Sequence, residues 1–74
     1  MCKDENVLKV IRSKLGMPGL HFDVDLVADG IIDSMAFMEL ILYIAKETKY
    51  RFDYESLDAA TPSKVGSIIN AFEE

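Results

Sequence analysis

The chain has 74 residues, half of them apolar, which suffices for one small domain (1–74) with a modest core. Eight Lys and Arg against thirteen Asp and Glu leave a formal charge of −5, which excludes the concentrated basic face of a nucleic-acid binder. Glu39 and Lys46 interrupt the longest apolar run, so no membrane span is expected.

Met1-Cys2-Lys3-Asp4 leads into no hydrophobic stretch, so neither a signal peptide nor a lipoprotein anchor is expected. Cys2 is the one cysteine and has no partner for a disulfide or a metal cage, which points to a reducing cytoplasm. The first helix is expected from near Asp4, a good cap, to about Leu15. Val7, Leu8, Ile11 and Leu15 fall at helical spacing, Val10 widens the stripe, and Gly16, Pro18 and Gly19 stop it.

Residues 16–33 read as a long loop, which in so small a domain is more often functional than idle. Leu20, Phe22, Leu26, Val27, Ile31 and Ile32 recur through it and should pin it across the core. Charge is unevenly spread here. Through Leu20 the chain is slightly basic, with Lys3, Lys9, Arg12 and Lys14 against Asp4 and Glu5. From His21 to Asp33 it carries Asp23, Asp25, Asp29 and Asp33 with no Lys or Arg, an approach suited to basic partners.

Helix two is expected over Ser34–Lys49. At 100° per residue, Leu40, Ile41, Ile44 and Thr48 lie within about 60° of Phe37 and form the core stripe. Met35, Met38 and Leu42 fall instead at about 100–160°, beside Glu39 and Lys46. Either this helix is central to the bundle, with Met as core filler, or it carries an exposed apolar strip suited to docking.

Phe52 and Tyr54 sit in a connector, and residues 56–60 could form one helical turn. Thr61-Pro62 reads as an N-cap followed by proline at the first helical position. Val65, Ile68, Ile69 and Phe72 then supply the stripe of a last helix, with Gly66 allowing close approach. No segment shows strand alternation. The expected architecture is an all-α four-helix bundle, three main helices plus one short one.

Catalytic chemistry is thin. His21 is the only histidine, so a Ser/His or Cys/His pair has little to draw on. Asp25, Asp29 and Gly30 fit three positions of a calcium loop, but Val27 and Ala36 occupy positions that must ligate. An enzyme is not expected.

Asp33-Ser34-Met35 is the most informative triplet. It stands where Asp29-Gly30-Ile31-Ile32-Asp33 turns into the apolar helix. A helix start exposes unpaired N–H groups and favours anions, so a serine there is well presented for a phosphate ester. The plainer reading is that Ser34 or Asp33 is an N-cap and nothing more.

Taken together, the helix I stripe, the long loop, Asp-Gly-Ile-Ile-Asp-Ser-Met, the apolar second helix and the later short elements resemble the acyl carrier protein family over essentially the whole chain. The resemblance implies that Ser34 carries a 4′-phosphopantetheine arm, installed from coenzyme A by a phosphopantetheinyl transferase. By the same resemblance, Asp33 assists that transfer through the partner enzyme's metal and coenzyme A. Met35 stands where the family's motif has leucine, a conservative apolar exchange. The family's implied partners are an acyl- or aminoacyl-activating ligase and downstream acyl-transferring or condensing enzymes, approached through Met35, Met38, Glu39 and Leu42. A cytoplasmic monomer is expected.

Two departures bear on the pathway. Between 34 and 49, Glu39 and Glu47 are offset by Lys46 and Lys49, whereas fatty-acid-synthase carriers have a strongly acidic second helix. Thr61-Pro62 also replaces a common aromatic. The serine motif looks more like stand-alone carriers loaded by an adenylating ligase, which favours a specialised acyl or aminoacyl carrier. The competing class is an unmodified helical interaction module, in which Ser34 only caps and the methionine strip binds one fixed partner.

Overall fold

The computed structural model describes residues 2–74. Helix α1 spans Lys3–Leu15, with Asp4 and Glu5 in its first turn and Arg12 and Lys14 in its last, the arrangement that complements the helix dipole. Its cap is Cys2 rather than the expected Asp4, and no side chain closes the cap. The start is instead held from elsewhere. Lys3 Nζ donates to the Ile69 and Phe72 carbonyl oxygens at 2.9 and 2.7 Å, fastening the first turn to the end of the chain. Gly16 ends α1 at φ 65°, a left-handed conformation that glycine adopts without strain.

Helix α2 runs Ser34–Thr48, and Lys49 closes it in a left-handed conformation, φ 64°, with its N–H donating to the Ala45 carbonyl at 2.9 Å. The chain then enters strand β1, Arg51–Phe52, and a 3-10 turn at Tyr54–Ser56. Asp53 caps that turn by accepting from the Glu55 N–H at 3.0 Å and the Ser56 hydroxyl at 2.8 Å, which places it upstream of the expected 56–60 turn. Helix α3 is short, Val65–Ala71, and strand β2, Phe72–Glu73, follows it directly.

Strands β1 and β2 pair antiparallel, Arg51 opposite Glu73 and Phe52 opposite Phe72. The fold is therefore mixed α/β, with three α-helices and a two-stranded sheet, and the expected all-α four-helix bundle is incorrect. The physical reason lies at both ends of the last helix. Thr61 does not cap it, because its hydroxyl donates to Asp58 Oδ2 at 3.2 Å and the helix begins only at Val65. At the other end Phe72 leaves the helix for extended backbone, φ −86°, ψ 140°. That places its ring, 1 % exposed, edge-on to Phe52 with centroids 4.9 Å apart.

The core gathers Val7, Leu8 and Ile11 from α1, Leu40, Ile41 and Ile44 from α2, and Val65, Ile68 and Ile69 from α3. Leu20 and Leu26 join it from the long loop, at 2 % and 0 % exposure. Hydrogen bonds hold that loop as well. Arg12 Nε donates to the Leu20 carbonyl at 2.7 Å, and the Ile31 and Ile32 N–H groups both reach the Leu26 carbonyl at 3.0 Å. Val65 and Gly66 donate to the carbonyls of Val24 and Phe22. A Cβ on Gly66 would stand 3.3 Å from the Phe22 carbonyl oxygen, so the expected close approach is present.

Asp25 is the knot of this arrangement. Its Oδ1 accepts from the Val27 and Ala28 N–H groups at 3.2 and 3.0 Å and from the buried Ser63 hydroxyl. The Ser63 bond, then the Ala28 bond, hold its carboxyl below the ordinary value of 3.8. A depressed folded-state pKa contributes stability above the unfolded value and loses it as pH falls through the folded one. Asp25→Asn is therefore expected to melt earlier than the parent at neutral pH, with the gap closing as pH drops below 3.8. Thermal melts across a pH series check this, and a gap constant to strongly acid pH would show that the charge is not what the loop uses.

Candidate functional site

The loop delivers the chain to α2 through two features. Gly30 adopts φ 74°, and the Ile31 and Ile32 amides behind it are anchored on Leu26. Asp33 then takes the cap position, where its Oδ1 accepts from the Ala36 N–H at 2.8 Å. Ser34 is the first helical residue, exposed, and its hydroxyl makes no hydrogen bond among the described residues. The capping role falls to Asp33 alone. The serine hydroxyl is left free at a helix start whose N–H groups face outward.

The outer face of α2 is apolar and uncovered. Met35 is 75 % exposed, Leu42 67 % and Met38 42 %. Of the two readings left by the helical pattern, the exposed strip is the one observed. The opposite face carries the core stripe, in which Leu40, Ile41 and Ile44 are buried while Phe37 and Thr48 are half-buried. Helix α3 is only seven residues long and packs mainly on α1, which leaves the strip open.

Glu39 is exposed and lies at the border of two surfaces. One side adjoins the apolar strip. The other forms the rim of a small cleft of about 150 Å³ lined by Lys14, Leu15, Ile32, Ala36, Glu39 and Leu40. Sequence reasoning missed this cleft, since it joins the end of α1, the end of the loop and the start of α2. Lys14 does not pair with Glu39; its Nζ stands 4.6 Å from the centroid of the Tyr43 ring, in cation–π range.

His21 and Cys2 are exposed and stand apart from this region in the sequence. His21 Nδ1 accepts from the Asp23 N–H at 3.3 Å, a local turn contact. Among the described residues no helix is long and apolar enough to cross a membrane. Comparison with protein-family models, with curated proteins and with solved structures returned no match.

Proposed function

We propose that the protein is a carrier of acyl or aminoacyl groups, held on a 4′-phosphopantetheine arm at Ser34 and presented to biosynthetic enzymes, in specialised rather than housekeeping fatty acid metabolism. The observation that carries this reading is the division of labour at the start of α2. Asp33 caps the helix, so the neighbouring Ser34 hydroxyl is exposed and unengaged. In arm attachment the Ser34 Oγ–phosphorus bond forms and the pyrophosphate P–O bond of coenzyme A breaks. Adenosine bisphosphate leaves, and the hydroxyl proton passes to a base of the transferase. Once attached, the arm supplies a thiol that holds its load as a thioester.

This chain's own part is presentation. The anchored loop fixes where Ser34 stands, and Asp33 keeps Oδ2 available for the transferase's metal while Oδ1 caps. Met35, Met38, Leu42 and Glu39 form the surface beside the arm on which the transferase, an activating ligase and acyl-transferring or condensing enzymes would dock. No catalytic group of its own is needed.

Incubation with coenzyme A, magnesium and a broad-specificity transferase tests the reading by intact mass. One added phosphopantetheine is expected; a chain that stays unmodified would favour the fixed-partner interaction module instead. Asp33→Asn refines the test. Asparagine caps as well as aspartate, so circular dichroism and melting should hardly change, while modification slows roughly tenfold or more. Modification at the parent rate would leave Asp33 with no role beyond the cap.

A further inference from the structure

We infer that Ser63, just ahead of α3, is a positioning residue for arm attachment: through Asp25 and Leu26 it holds the turn that presents Ser34 to the transferase. The inference rests on the carrier reading and adds a residue to it from a distant part of the chain. Ser63 is the one buried polar side chain among the described residues, at 8 % exposure. Burying a hydroxyl is costly unless it is bonded, and this one donates to Asp25 Oδ1.

The backbone between Asp25 and Ser34 shows what that bond controls. Every N–H from Leu26 to Ile32 has an acceptor. Val27 and Ala28 donate to Asp25 Oδ1, Asp29 to the Asp25 carbonyl, Gly30 to that of Val27, and Ile31 and Ile32 to that of Leu26. All of these bonds are internal to the turn. Leu26 alone donates outside it, to the Ser63 carbonyl at 3.0 Å. Among the described residues, then, residues 25–32 are hydrogen-bonded to the rest of the fold through Ser63 alone. Its carbonyl holds Leu26 and its hydroxyl holds Asp25.

Apolar packing does not replace that tie. Leu26 is fully buried, and Ile31 and Ile32 rest half-buried on the core, but apolar contact is non-directional and permits the turn to shift. The Ser63 bonds are directional. They fix Leu26, the Leu26 carbonyl fixes the Ile31 and Ile32 amides, and Asp33 and Ser34 follow at once in the chain. Without the Ser63 hydroxyl the turn keeps its internal bonds and moves as a unit. Ser34 then spends less time where a docked transferase can reach it. A competent state populated less of the time raises the apparent KM in proportion and leaves the rate at saturation nearly unchanged.

The test pairs Ser63→Ala with Ile68→Val, a core truncation in α3 that removes no hydrogen bond, at a temperature where both are folded. Ser63→Ala is expected to raise the KM of the chain as transferase substrate about three- to tenfold, with kcat within about twofold of the parent. Amide exchange at Leu26, Ile31 and Ile32 should accelerate about tenfold more than at Ile41 and Ile44 of α2. Ile68→Val should also melt early, yet keep the parent KM and show no excess exchange in the turn. Asp25→Asn, which keeps an acceptor oxygen without its charge, should repeat the Ser63→Ala pattern more weakly, and it carries the test if Ser63→Ala does not fold. An unchanged KM in the folded variant, a fall in kcat alone, or an equal rise in KM with Ile68→Val overturns the inference and leaves the carrier reading standing. A parent chain that accepts no arm overturns both.

Discussion

Ser34→Ala is expected to abolish arm attachment completely while leaving the fold intact. The contrast follows from who caps α2. The Asp33 carboxylate holds the Ala36 N–H, whereas the Ser34 side chain is exposed and holds nothing among the described residues. The Ser34 side chain makes no bond for alanine to lose, so melting should hardly change. Asp33→Ala, by comparison, should cost about 0.5–2 kcal/mol as a lost cap. The other serines are poor substitutes. Ser63 is buried against Asp25, Ser56 donates to Asp53, and Ser13 sits within α1 between Arg12 and Lys14. Ser67 lies within α3, its hydroxyl 3.4 Å from that of Thr61. Intact mass and peptide mapping of both variants check this, and an arm found on any of these four serines would refute the assignment to Ser34.

What could be read in the chain and what could not divides by range. The stripe of α2, its start at Ser34 and the anchoring of the loop by Leu20 and Leu26 are local or strongly hydrophobic signals, and the structure has them. The sheet was illegible because each strand is two residues long, below the length at which alternation can register. Thr61-Pro62 has the form of a helix start, yet Asp58 takes the Thr61 hydroxyl and accepts the Ala60 N–H at 2.9 Å, turning the segment into a loop. The Asp25–Ser63 bond joins residues 38 apart, and neither neighbourhood announces the other. For α2 the wheel separates Met35, Met38 and Leu42 from the core. It cannot say whether a neighbour covers them, because that depends on how short α3 turns out to be. The cleft at Glu39 was invisible for the same reason, being assembled from three segments.

Met38→Ala and Ile44→Ala are expected to separate docking from stability on the same helix. Ile44 is fully buried, and truncating it removes a branched side chain from the centre of the core, a loss of about 2–5 kcal/mol. A domain this small has few kcal/mol to lose, so Ile44→Val, at about 0.5–1.5 kcal/mol, provides a folded companion. Met38 is 42 % exposed, and its truncation should change stability by only about 0.5 kcal/mol. Its effect should fall instead on modification of Ser34 or loading of the arm, because a flexible thioether on an uncovered strip is what an apolar partner surface would grip. The charge of α2 sets the salt response. Glu39 and Glu47 balance Lys46 and Lys49 over residues 34–49, so long-range attraction to a basic partner is weak. Partner turnover by the parent should therefore fall little between low and physiological ionic strength, and the Met38→Ala defect should persist at both. Paired thermal melts and modification kinetics across an ionic-strength series measure each quantity separately. If Met38→Ala melts as early as Ile44→Ala and its folded fraction is modified normally, the strip belongs to the core and docking lies elsewhere. A steep salt dependence in the parent would move the recognition surface from the methionines to the acidic loop ahead of Ser34, where Asp23, Asp25, Asp29 and Asp33 lie with no basic residue among them.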